Sequence, residues 1–371
     1  MDPAARVAAV PSVGPSVGEL WLLPLDRARA AFNRVLLATP LAPSLVRKDT
    51  RIALRAIVGI SIAFGLTLFA PVALFAIAPV VLGVPHLAAD VRYLLLRPRH
   101  GTLVRALLVT GCIPFVVLRL LPLLGVGVPH VAALELGFAS VALLAAALVA
   151  GLGARRYGRV AIAAPTLVLV AVLALSHADL ARIAFAHLHN VIAIVLWMVL
   201  FRARRGTRLS TWLPIAFACL ATALVLAVGA GLSDATMQET HFGLRLSTLA
   251  GWLAPGLPLR VGVALVLSYV FLQSVHYTIW LGLIPAEAVR GEAVRSFRMS
   301  LRALLRDFGD RGLALVAVAS VATFAIATRD LNHTRDAYLT LSAFHGYLEL
   351  AVLVIALCGR PSLWMGSARA S

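Results

Sequence analysis

Apolar runs of membrane-spanning length recur along the chain from about Ala56 to Leu357, separated by short arginine-bearing connections. The pattern predicts ten spans, at roughly 53–70, 72–96, 102–124, 130–152, 159–176, 182–201, 211–232, 259–284, 311–328 and 337–358. Phe69-Ala70-Pro71 reads as a tight turn in which the proline ends one helix and starts the next. Two connections are longer. Residues 233–258 hold Asp234, Glu239, His241 and Trp252, and residues 286–312 place Phe297, Leu301, Leu304 and Phe308 at helical spacing beside Arg298, Arg302 and Arg306. The second of these predicts an amphipathic helix on the membrane surface. Glu19 to Leu37, with Trp21, Leu25, Phe32 and Leu36 on one face and Arg27 and Arg34 roughly opposite, reads either as another such helix or as a basic cytoplasmic lead-in without fixed structure. Residues 1–18, rich in Ala, Val, Pro, Ser and Gly, read as poorly ordered. No internal repeat points to a transporter-like duplication.

Arginine placement gives the orientation. Arg47, Lys48, Arg51, Arg97, Arg99, Arg105, Arg155, Arg156, Arg159, Arg202, Arg204, Arg205, Arg208 and the basic residues of 286–311 fall on one side of the predicted spans. The other side holds only Arg182, Arg245, Arg260, Arg329 and Arg335. The excess marks the cytoplasmic side, and an even number of spans leaves both termini there. The expected fold is an all-α polytopic transmembrane helix bundle. It has a cytoplasmic N-terminal segment over 1–50, a helical domain over 51–358 and a cytoplasmic tail over 359–371.

Composition agrees. Of 371 residues, 61% are hydrophobic and 13% charged, and the mean hydropathy is +0.94, which excludes a soluble globular chain. A net charge of +17 would point to nucleic acid in a soluble domain, but here the cations sit in loops between spans, beside lipid headgroups. The partner is therefore the lipid bilayer, not nucleic acid, and the expected location is a cell membrane of the bacterial inner-membrane kind. Cys112, Cys219 and Cys358 lie in apolar runs without CxxC spacing, so neither disulfides nor a thiolate metal site is indicated. Met1-Asp2-Pro3 lacks the basic start of a cleavable signal peptide.

Ionisable groups inside the spans carry the candidate chemistry. In Gly83-Val84-Pro85-His86-Leu87-Ala88-Ala89-Asp90, a histidine and an aspartate four residues apart share one helical face, and Gly83 and Pro85 loosen the helix before them. Such a pair in hydrocarbon costs several kcal/mol unless it faces protein, water or a metal. His345 and Glu349 repeat the spacing, and His276 and the pair His187/His189 fall at compatible depths. His187 and His189 are two apart and point to different faces, so only one can reach a shared site. Neutral imidazole suits iron, copper or zinc. The candidate ligands are His86, His187, His189, His276 and His345, with Asp90, Glu349, Gln273 and Asn190 as further ligands or as partners that hold the rings. Each lone histidine also has a plainer reading, an interhelical hydrogen bond. His130, His177, His241 and His333 read as surface residues, His100 as a headgroup contact, Arg92 as a snorkelling or pairing residue, and Glu135 as a partner of Arg119.

Gly83-x-Pro85-His86-x-x-x-Asp90 resembles the first motif of the Brp/Blh family of membrane β-carotene dioxygenases, and Gln273-Ser274-Val275-His276 is similar to that family's late histidine motif. Leu87 stands where the first motif has glycine, and Trp280 where the late motif has a second histidine. The resemblance implies an all-helical membrane protein that binds non-haem iron through histidines on several spans and cleaves a carotenoid. The leading function is then a metal-dependent membrane oxygenase or oxidoreductase acting on a lipophilic, isoprenoid-like substrate. The other classes are a proton-coupled carrier using His, Asp and Glu as a relay, a haem-binding subunit, and an assembly subunit whose buried polar groups only fix packing.

Overall fold

Backbone in hydrocarbon has no water to satisfy its polar groups, so long apolar segments must close their hydrogen bonds within helices. The computed structural model describes residues 20–40, 42, 46–98, 100–202, 207–289, 291, 292 and 294–359, and among these it is all-α, apart from an isolated bridge between His241 and Leu244. The lead-in 1–19, Arg99, Arg204, Arg205, Arg290, the side chain of Leu36 and the tail beyond Gly359 lie outside the described residues.

A surface helix, α1 (Leu23–Leu37), precedes the spans α2 (Lys48–Phe69), α3 (Pro71–Asp90), α4 (Thr102–Leu123), α5 (Val131–Gly153), α6 (Tyr157–Ser176), α7 (Ala178–Leu196) and α8 (Arg208–Ala230). Two short helices follow, α9 (Asp234–Gln238) and α10 (Leu246–Leu253), then α11 (Leu259–Thr278), α12 (Phe297–Ala327), α13 (Leu331–Ser342) and α14 (Phe344–Cys358). Among the described residues, ten helical stretches are long and apolar enough to cross a membrane, at the ten expected places.

Three details differ from the hydropathy pattern. The 233–258 connection folds back as α9 and α10, burying Met237, Leu246, Leu249 and Ala250 over the end of α11. The ninth span and the amphipathic helix before it share one element, broken at Gly309, whose φ of 69° and ψ of 171° suit a residue without Cβ. The last span is two helices, α13 and α14, separated at Ala343.

α11 is the hub. In its most apolar 18-residue stretch 67% of the residues are buried, against 6% in that of α6, and it touches α2, α3, α7, α8 and α10. A helix that is apolar all round belongs in such a position. Close packing, not water exclusion, holds membrane helices together. At the α8–α11 crossing a Cβ on Gly229 would lie 2.6 Å from the Ala264 backbone, so glycine is required there. On the periphery, Ile162, Leu169, Leu315 and Val321 stand exposed, an apolar surface suited to a lipid bilayer.

The arginine-rich end is tied by polar clamps. Arg202, 1% exposed, pairs with Asp49 Oδ1 at 2.5 Å and Glu287 Oε1 at 3.0 Å, and donates to the Ser210 carbonyl at 3.1 Å. One guanidinium thus joins α2, α7, α8 and the end of the α11 segment. Arg92 and Arg97 share Asp307 of α12 at 2.7 and 2.8 Å. α1 docks on the start of α12, where Asp26 accepts from the Phe297 N–H at 2.6 Å and pairs with Arg298 at 3.0 Å. Trp21, just before α1, and Leu25 and Phe32 along it remain exposed, as an interfacial helix requires.

Candidate metal centre

Four histidines from four spans converge at one point in the bundle. His86 of α3 and His276 of α11 bring their Nε2 atoms to 3.0 Å, and His189 of α7 and His345 of α14 do the same at 3.0 Å. The two pairs interlock, with ring centroids 4.9 Å apart for His86 and His345 and 4.6 Å for His189 and His276. Two carboxylates close the set. Asp90 Oδ2 lies 3.4 Å from His86 Nε2, and Glu349 sets Oε1 3.5 Å from His276 Nε2 and Oε2 3.4 Å from His189 Nδ1. His86, Asp90 and His276 are each 1% exposed and Glu349 is fully buried.

Local structure explains how each side chain arrives. The i, i+4 spacing puts His86 and Asp90 on one face of α3. That helix continues through Pro79 and Pro85, although neither proline can donate to the carbonyl four residues back. Gly83 seats Tyr338 of α13, whose ring would lie 2.2 Å from any Cβ there. His345 and Glu349 also share a face, yet they do not pair. The break at Ala343 leaves the Ser342 carbonyl without its usual helical donor, and His345 Nδ1 donates to it. A carbonyl can only accept, so Nδ1 carries the hydrogen and Nε2 presents its lone pair to the cluster. Glu349 is then free to reach the histidines of α7 and α11. Gly346 completes the fit, since a Cβ at that position would meet His189 Nδ1 at 2.9 Å.

α3, α7 and α11 each widen into a π-helical turn just beyond their site residues, over Val91–Leu96, Trp197–Arg202 and Ile279–Leu283. All three turns lie toward the arginine-rich end. Such turns are rare and gather at functional sites, and one inserted residue rotates the helix beyond it by roughly 100°.

The remaining sequence candidates separate clearly. His187 is not in the cluster, which corrects its place in the candidate ligand set: its Nε2 bonds to the Leu253 carbonyl at 2.8 Å and its ring lies against Tyr269. Two residues of helix turn it some 200° away from His189. Asn190 and Gln273 are buried and line the cavity beside the cluster. His100 is buried too and bonds to the Leu94 carbonyl at 2.8 Å, so it is no headgroup contact; burial lowers its pKa. His130, His177, His241 and His333 are exposed, and Glu135 takes Arg119 as a two-pronged partner, as the sequence indicated.

The donor set suits a cation. Asp90 and Glu349 are fully buried, Asp90 with no hydrogen bond to either oxygen and Glu349 with only the Trp280 indole beside it as a neutral donor; Nδ1 of His86 and of His189 are likewise buried without a hydrogen-bond partner. Two ionised carboxylates in an apolar interior cost several kcal/mol each unless positive charge answers them. Two carboxylates with four neutral imidazoles balance one divalent ion. Cis ligands held at about 2.1 Å lie about 3.0 Å apart at a right angle, the separation of both imidazole pairs. The ligand atoms of His86, His276, His345 and Glu349 all fall within 4.8 Å of one another, about half an ångström beyond the roughly 4.2 Å limit for opposed ligands.

A cavity of about 290 Å³ opens onto the cluster from the side away from the arginine-rich loops. His86, His189, His276 and His345 line its inner end, and Phe185, Tyr269, Tyr277, Tyr338 and Tyr347 form much of its wall. No motif in the sequence marks these aromatics as a group. Tyr269, Gln273, His276 and Tyr277 do recur at helical spacing, the one signal that placed them on a common face. Comparison with known proteins returned nothing: no protein-family model, no curated protein and no solved structure matches the chain.

Proposed function

We propose that the chain is a metal-dependent membrane oxidoreductase acting on a lipophilic, isoprenoid-like substrate. His86, His189, His276 and His345 hold one divalent ion, non-haem iron, with Glu349 and Asp90 as charge-balancing ligands or partners. The observation that carries this reading is the convergence of four imidazoles and two buried carboxylates from four spans. Iron bound there would supply the redox chemistry that lets dioxygen react with a carbon–carbon double bond. The resemblance of the His86 and His276 motifs to the carotene-cleaving Brp/Blh family supports the same substrate class. Haem fits less well, because four rings this close leave no slot for a porphyrin between paired histidines.

The chain's own groups have definite tasks. The Ser342 carbonyl fixes the His345 tautomer, and Gly346 gives His189 room to turn inward. The aromatic cavity wall takes an apolar chain and excludes water, which strengthens every electrostatic contact at the cluster. Arginine bias puts the basic end in the cytoplasm, so substrate meets the cluster from the external half of the bundle.

The test is turnover in lipid nanodiscs with ferrous iron, oxygen and an isoprenoid polyene, followed by product chromatography. Product that needs iron and disappears in His345→Ala supports the reading. Absence of product with iron bound, across several polyenes, overturns it. A proton-coupled carrier is the second reading, favoured by a further cavity on the opposite side of the same cluster. Proton-linked solute uptake by metal-free protein in liposomes would select it.

A further inference from the structure

The arginine-rich end encloses a cavity of about 570 Å³, larger than the one at the histidines. Its rim carries six cations, Arg29, Lys48, Arg51, Arg55, Arg92 and Arg295, and none of the described residues lining it is acidic. Arg92 pairs with Asp307 of α12. Arg29 donates to the Val294 carbonyl at 3.2 Å and Arg55 to the Gly282 carbonyl at 3.3 Å, neutral acceptors that leave the positive charge in place. Burial and the neighbouring Arg97 and Arg92 lower the pKa of Arg295, which marks a site crowded with positive charge. Below this rim the wall is apolar, built by Trp280, Leu304, Phe308, Leu313 and Val316.

A basic rim over an apolar pocket fits a molecule with an anionic head and a hydrocarbon chain. Guanidinium groups bind phosphate oxygens through paired charge-assisted hydrogen bonds, and several of them around one head match a group with many acceptor oxygens. We propose that this cavity binds a phosphate-headed amphiphile, its head among Arg29, Arg55 and Arg295 and its chain against Trp280, Leu304 and Phe308. The head comes either from a bilayer phospholipid or from an isoprenoid diphosphate. The site backs directly onto the histidine cluster. Pro85, Ala88 and Ala89 line it from the stretch of α3 that bears His86 and Asp90, and the Trp280 ring lies 6.1 Å from that of His86. The proposal does not depend on a metal being bound at the cluster.

Native mass spectrometry of the full chain in detergent tests it, with phosphatidylglycerol, geranylgeranyl diphosphate and the neutral lipid diacylglycerol as probes. One phosphate-headed molecule should bind per chain, and diacylglycerol should not compete. Binding of phosphatidylglycerol alone would identify the head as a bilayer lipid, and preference for geranylgeranyl diphosphate would identify a soluble-headed isoprenoid. Arg55→Gln with Arg295→Gln should weaken that binding about tenfold for each guanidinium removed. Leu304→Trp, which narrows the apolar part and spares every arginine, should weaken long-chain probes while leaving the elution profile unchanged. Equal binding by wild type and both variants, equal competition by diacylglycerol, or no phosphate-headed ligand on any of them, overturns the proposal.

Discussion

Replacing Arg202 by methionine should be among the most destabilising single changes in the molecule. Its guanidinium is 1% exposed and lies 2.5 Å from Asp49 and 3.0 Å from Glu287, the latter itself 1% exposed. Methionine fills much of the volume but leaves two carboxylates facing each other at the junction of α2, α7, α8 and α11. Removing one partner of a buried ion cluster costs about 3–5 kcal/mol, because the remaining charge has lost both water and its counter-ion. The rescue is more telling than the loss. Arg202→Met combined with Asp49→Asn and Glu287→Gln removes the stranded charge and should return stability to within about 1 kcal/mol of wild type. Unfolding in mixed micelles at increasing denaturing-detergent fraction, followed by circular dichroism, measures both steps. A loss under about 1 kcal/mol for Arg202→Met, or a triple variant worse than the single one, would refute a charge-compensating role for this residue.

Gly83→Ala would drive a methyl group into the Tyr338 ring, where 2.2 Å is the available distance, and overpacking of this kind costs about 1–3 kcal/mol in the same unfolding assay. His187→Ala should leave bound metal unchanged, since that ring is spent on the Leu253 carbonyl, whereas His189→Ala should remove it; inductively coupled plasma analysis of the two proteins distinguishes them. Reporter fusions at Arg298 should read cytoplasmic and at Gln238 external, because arginine bias sets orientation, and the same reading at both would contradict the ten-span topology.

Much of the bundle was legible because the bilayer imposes length and polarity on every span. Hydropathy placed all ten helices, and the His86–Asp90 spacing pointed straight at the site. Helix rotation was not legible, and it decides which of two histidines faces inward. His189 and His187 differ by some 200° about α7, and packing against α11 and α14 decides which of them faces the cluster. The separation at Ala343 was equally hidden. It hands the Ser342 carbonyl to His345 and releases Glu349 to other rings, so a spacing that suggested one pair produced two different contacts. Arg202 was readable only as one of many basic residues marking a membrane face. Its burial between Asp49 and Glu287 depends on three other helices, which no local pattern contains. Signals within one helix survived translation from sequence to structure, and of those that depend on the meeting of helices only the ones marked by a buried ionisable group, such as Glu135 with Arg119, were readable.

The claim at the centre of this account is that four histidines and two carboxylates hold one metal ion. Its most direct measurement is the metal content of wild type and His86→Ala, purified side by side from iron-supplemented cells without chelator. One iron per wild-type chain, absent from an inserted and monodisperse His86→Ala, is the expected result. Wild-type protein free of metal, or equal loading in both, would contradict it.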